Sequence, residues 1–171
     1  MTEGQMHRQQ HATPVHPASR RPNSTASVAS ELTTLLADFF VLYIKTKNFH
    51  WHASGPHFRD YHRLFDEQAT QIFTATDAIA ERVRKLGSTT LRSVRHIGLI
   101  QRLRDNDTDA LRPQDMIKEL RDDNRLLRDY MKETHARCDE IGDVATASLL
   151  ENWIDEAEQR IWFLAEVGAE A

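Results

Sequence analysis

Five side chains with metal-ligating chemistry stand out in this chain: His50, His62, Asp66, Asp77 and Glu81. The last four fall on a stretch that reads as one helix, with His62 and Asp66 one turn apart and Asp77 and Glu81 one turn apart. From Asp66 to Asp77 an α-helix rises about 16 Å and turns the direction of its side chains by only about 20°. Both pairs therefore leave the helix on the same side. Metal ligands stand roughly 2 to 2.5 Å from their ion, so no single ion can touch both pairs. If both pairs serve one site, one of them must come from a second copy of the chain.

Two imidazoles and three carboxylates suit Fe(II), Mn(II) or Zn(II), with nitrogen supplying affinity and hard oxygen favouring Fe(III) after oxidation. Each residue also has a plainer reading. Asp66 and Glu81 could be solvated helix charges and His62 a surface histidine beside Arg63. Asp77 could bond a neighbour, and His50 could be a core histidine at a helix end. Spacing alone leaves both readings open.

The elements that would position these residues are helices. Val28, Leu32, Leu35, Leu36, Phe39 and Leu42 recur in steps of three and four from a cap near Ser27, predicting a helix that stops at Ser54-Gly55-Pro56. A second helix is predicted from about His57 to Leu86, closed by Gly87. Residues 88–112 read as a long link with a short helix around 93–103. Pro113 is a good first residue for a third long helix, Gly142 breaks it, and Ala147, Leu150, Trp153, Ala157 and Leu164 pattern a fourth. The expectation is an all-α four-helix bundle with one long crossover, a ferritin-like topology that often houses iron. The Glu-x-x-His pairs of an intrasubunit di-iron centre are missing, since no histidine has a glutamate three positions before it.

The chain of 171 residues is sized for one domain and is 40% apolar and 28% charged. Residues 1–26, with Pro14, Pro17 and Pro22, read as a disordered arm, residues 27–167 as the bundle and 168–171 as a short tail. No uninterrupted apolar run approaches the roughly 20 residues of a membrane span, and the first 30 residues lack the apolar segment of a secretory signal. The one cysteine, Cys138, excludes an intrachain disulfide and fits a reducing compartment, so the cytoplasm is the expected location. A formal charge of −4 argues against general affinity for nucleic acid.

The local sequence around the five residues is more specific than their spacing. Lys47-Asn48-Phe49-His50-Trp51-His52-Ala53-Ser54-Gly55-Pro56-His57-Phe58, Tyr61-His62-Arg63-Leu64-Phe65-Asp66-Glu67 and Asp77-Ala78-Ile79-Ala80-Glu81-Arg82, with Leu86-Gly87 after it, resemble the signature of the Dps family, the mini-ferritins. The resemblance spans about residues 28–166. It implies a ferroxidase site across a two-fold interface, with His50, His62 and Asp66 from one subunit and Asp77 and Glu81 from its partner. It also implies a hollow dodecamer that oxidises Fe(II), preferably with hydrogen peroxide rather than dioxygen, and stores Fe(III) as mineral, protecting DNA from oxidative damage. Ligation needs neutral imidazole, so activity is expected to fall below about pH 6.

The alternative expectation is a DNA-compacting, nucleoid-associated protein acting through its arm, where Arg8, Arg20 and Arg21 face only Glu3. Such binding would be weak and salt-sensitive, because twelve copies of a −4 chain repel a polyanion. Trp51 could pack at the interface or act as a sacrificial reductant, and His52 and His57 flank the turn. Asp139, Glu140 and Asp143 could line an ion-entry pore or sit in a solvated loop.

Overall fold

The computed structural model describes residues 24–169, and the arm therefore lies outside the described residues apart from its last three positions. Four long helices, α1 (Ser24–His52), α2 (Phe58–Lys85), α4 (Pro113–Ile141) and α5 (Val144–Gly168), are joined by one short helix, α3 (Val94–Ile100). Among the described residues there is no strand.

The ion pairs fix the directions of the helices. Glu31 of α1 pairs with Arg137 of α4 at 2.7 Å, while Lys45 pairs with Glu119 at 2.8 Å and Asp123 at 2.7 Å, so α1 and α4 run antiparallel. Arg82 of α2 meets Asp143 at 2.6 Å, at the start of α5, and Gln71 meets Arg160 at 2.8 Å, so α2 and α5 are antiparallel too. With α1–α2 and α4–α5 joined by tight turns, α2 and α4 must run the same way. The link between them consequently crosses the full length of the bundle, carrying α3 against α1.

Leu32, Leu36, Phe39, Phe65, Ile72 and Leu150 are among the core side chains buried where the four long helices meet. α1 is long and apolar enough by composition to cross a membrane, which qualifies the reading that no apolar run approaches that length. However, 56% of its apolar window is buried inside the bundle, and its Asp38 and Lys45 are both buried in ion pairs. It is built as the core helix.

α1 begins three residues before Ser27, because nothing between Ser24 and Ser27 interrupts helical geometry. α3 is shorter than the expected 93–103. Ser93 caps its start by accepting from the His96 N–H, and the chain turns extended at Gln101 (ψ 147°). That extension delivers the backbone N–H groups of Arg102 and Leu103 to the fully buried Asp38 carboxylate, which the Arg102 guanidinium also grips at 2.7 and 2.8 Å. The crossover is thereby pinned to α1. The Arg102 guanidinium stacks 3.6 Å over the Tyr130 ring as well. Gly142, at φ 73°, closes α4 in the left-handed conformation that glycine adopts freely.

Candidate metal centre

The turn between α1 and α2 sets the first half of the site. Phe49 O accepts from the Ala53 N–H at 2.8 Å, and Gly55, at φ 92°, lets its carbonyl accept from the Phe58 N–H at 3.0 Å. This tight reversal lays the end of α1 beside the start of α2, bringing His50 and His62 together. Their rings stack with centroids 3.7 Å apart. Their Nδ1 atoms make reciprocal bonds, His50 Nδ1 to the His62 carbonyl at 2.7 Å and His62 Nδ1 to the His50 carbonyl at 2.8 Å. A carbonyl can only accept, so each Nδ1 carries the proton. In the neutral ring each Nε2 then keeps a lone pair, as metal ligation requires. Phe58 also packs against His62, its centroid 5.0 Å away.

Asp66 lies one turn beyond His62, exposed, with Oδ1 3.9 Å from His50 Nε2. Lys47 Nζ donates to the same Oδ1 at 2.7 Å, and this hydrogen bond holds the Asp66 carboxyl below the usual carboxylate range. Within one chain, His50 is thus stacked on His62, and Asp66 stands 3.9 Å from His50 Nε2. Asp77 and Glu81 stand apart, exposed about three turns further along α2, with Glu81 bonded to Lys85 at 3.0 Å. Among the described residues, no three His, Cys, Asp or Glu side chains of one chain gather closely enough to hold an ion.

The ferritin-like domain model matches residues 29–170. The DNA protection during starvation protein of Agrobacterium fabrum is 30% identical over 142 residues, covering 83% of this chain and 88% of that protein. The chain belongs to the Dps family. A low temperature-induced protein of Nostoc is 34% identical over 130 residues, covering 75% of this chain and 73% of its own length. Among solved structures, Dps from Thermosynechococcus elongatus superposes with a TM-score of 0.84 at 28% identity, covering 86% of this chain and 94% of that one. Dps from Vibrio cholerae, described as one of the ferritin-like diiron-carboxylate proteins, gives a TM-score of 0.80 at 26% identity, covering 84% and 89%. The all-α, ferritin-like architecture expected from helical spacing is therefore the architecture of this Dps chain.

Two residues near the centre had no role assigned from sequence. Lys47 precedes His50 by three positions and so shares its face of α1, which was the available signal. Phe58 precedes His62 by four and steadies its ring. Trp51 is 61% exposed, 5.8 Å from Lys47 Nζ, with no cover in the single chain. His52 is exposed and bonded through Nδ1 to the Asn48 carbonyl, and His57 is exposed with its ring edge on Tyr61. Of the acidic trio, Asp139 and Glu140 are exposed, whereas Asp143 caps α5 and clasps α2. It accepts from the Thr146 N–H at 3.1 Å and from Arg82 at 2.6 Å.

Proposed function

We propose that this Dps chain oxidises Fe(II) and stores the product, at a site completed across a two-fold axis by a second copy of itself. The observation that carries this reading is the register of α2. His62 and Glu81 are equidistant from the point between Gln71 and Ile72, and so are Asp66 and Asp77. A two-fold axis through that point sets His62 against the partner's Glu81 and Asp66 against the partner's Asp77, and by symmetry builds two identical sites at once.

Phe73 lies on that same face of α2, against Tyr43 of α1, and α1 and α3 carry further exposed apolar side chains. Ile44 is 57% exposed, Phe73 50%, Leu99 70% and Val94 83%, and the groove between α1 and α3 is lined by Phe40, Ile44, Leu91 and Ile97. An apolar surface of this kind is covered by a partner in a stable protein. Likeness to Dps structures supports further assembly of such dimers into a hollow dodecamer.

Fe(II) is the substrate. His50 and His62 bind through Nε2, Asp66 and the partner's Asp77 and Glu81 bind through oxygen, and Lys47 yields Asp66 as the cation arrives. Two Fe(II) each give one electron to hydrogen peroxide. The O–O bond breaks, two protons are taken up, and two waters leave with two Fe(III), which hydrolyse to mineral in the cage. Dioxygen is the alternative oxidant. Removing Fe(II) and peroxide together suppresses hydroxyl radical, a way of protecting DNA that needs no contact with it and suits a −4 chain. DNA compaction through the arm, which lies outside the described residues, is the secondary reading. The one cysteine, which fits a reducing compartment, supports a cytoplasmic location.

Subunit mixing tests the shared site. His62→Ala/Asp66→Ala and Asp77→Ala/Glu81→Ala should each abolish rapid ferric absorbance on peroxide addition. Unfolded, mixed in equal amounts and reassembled, they should regain about a quarter of the wild-type sites, since half the dimers are mixed and each mixed dimer has one intact site. A mixture as inactive as its parents would refute the shared site.

A further inference from the structure

We propose that the cleft between α2 and α5 is a binding site for a protonated oxyanion such as hydrogen phosphate, separate from the iron site and independent of it. The cleft has a volume of about 190 Å³ and is walled by Leu64 and Phe163. At its base lies Arg160, whose side chain is only 2% exposed. Three of its nitrogens have different fates. Nε donates to Asn124 Oδ1 at 2.7 Å and Nη1 to Gln71 Oε1 at 2.8 Å, but Nη2 has no hydrogen-bond partner among the described residues. Both acceptors are neutral amides. Glu156 stands 4.0 Å from Nη1, beyond hydrogen-bond reach, so the buried positive charge has no carboxylate in contact. Burial accordingly pushes the guanidinium down to about 10, which still leaves it charged at neutral pH.

Gln68 sets the second requirement. Its Nε2 faces the Arg160 carbonyl at 3.4 Å, and because a carbonyl only accepts, the amide cannot be turned the other way. Its Oε1 is therefore an acceptor, and it too is buried without a partner among the described residues. Both residues line the cleft, whose wall therefore carries one unpartnered charged donor and one unpartnered acceptor. A fully deprotonated anion would satisfy Nη2 but repel Gln68 Oε1. A hydrogen phosphate satisfies both, taking the Arg160 N–H on one oxygen and donating its P–OH to Gln68. Glu67 at the rim is exposed and faces Arg63 at 3.9 Å, which offsets its charge toward an incoming anion.

The test is titration of the metal-free, assembled protein with inorganic phosphate and with sulfate at pH 7.5, followed by calorimetry. One phosphate per chain is expected, with sulfate binding about tenfold more weakly for want of the hydrogen bond to Gln68. Gln68→Glu puts a carboxylate on the cleft wall that Arg160 also lines, so phosphate binding should vanish. Gln68→Met removes the acceptor and keeps the volume, so the gap between phosphate and sulfate should close. No phosphate uptake by the metal-free protein, unchanged phosphate binding in Gln68→Glu, or equal affinity for the two anions in the wild type would each overturn the proposal. If Gln68→Glu does not fold, the loss or persistence of discrimination in Gln68→Met decides. None of these readouts involves iron, so they stand apart from the fate of the shared site.

Discussion

Lys47 and Asp66 form an ion pair 2.7 Å long at the spot where the carboxylate would meet a metal. The ammonium acts as an internal stand-in for the cation. On the proposed reading, a metal ion that takes Oδ1 of Asp66 has to displace Lys47, so the pair would set how tightly the first half of the site binds. Lys47→Met should tighten binding of a redox-inert probe such as Zn(II) by about tenfold, because the metal no longer competes with a tethered charge. Affinity unchanged in competition with a chelator would show that the pair is incidental.

The exposed apolar side offers a way to separate folding from assembly. Leu99 is 70% exposed in the single chain, so Leu99→Glu should leave helix content and monomer packing intact. Buried against a second copy, the new carboxylate would be desolvated without a partner and would oppose association. Sedimentation should show smaller species, and rapid iron oxidation should disappear with them. Wild-type assembly and activity in this variant would place the interface elsewhere.

Asp38 accepts from two backbone N–H groups and from the Arg102 guanidinium while wholly buried. Asp38→Ala leaves those donors in place without their acceptor and should cost about 3 to 5 kcal/mol in urea unfolding. The same substitution should loosen residues 101–106 in hydrogen exchange before the rest of the bundle. A loss below about 1 kcal/mol would mean the crossover is held mainly by its apolar contacts.

Acid stability should carry a contribution from Asp143. Burial raises its carboxyl, but the Thr146 hydroxyl and N–H and the Arg82 guanidinium outweigh burial and hold it below its ordinary value of 3.8. A carboxyl lowered by folding stabilises above its unfolded pKa and loses that contribution as pH falls through the folded one. The wild type should therefore lose this increment below pH 3.8, while Asp143→Asn should lack it at neutral pH and show a shallower decline in Tm on acidification. Parallel Tm profiles for the two proteins would discount the pair.

The long helices were legible because burial imposes a spacing: Leu32, Leu35, Leu36 and Phe39 lie on one face whatever they pack against. The candidate ligands were legible because chelation restricts residue type and because the motif block is distinctive. What stayed hidden depends on distance in space. Nothing in the local sequence pairs Asp38 with Arg102 or buries Arg160, since an arginine in a polar heptad reads as solvated until a neighbouring helix closes over it. The end of α3 was misjudged for the same reason, as the chain leaves helical geometry there to satisfy a carboxylate on another helix. Asp143 read as one of an acidic group, whereas its partner Arg82 lies on the opposite helix.

The interval between Asp66 and Asp77 has a consequence for which changes this chain can tolerate. It is very nearly a whole number of helical turns, so α2 works as a ruler that presents the two proposed half-sites on one edge. Insertion of a single residue between them would swing one pair by about 100° around the helix and shift the point of symmetry. In the proposed dimer, both copies of the site would be lost together. On the proposed reading, substitutions can erode the site one ligand at a time, but a change in the length of α2 would remove chemistry and assembly in one step.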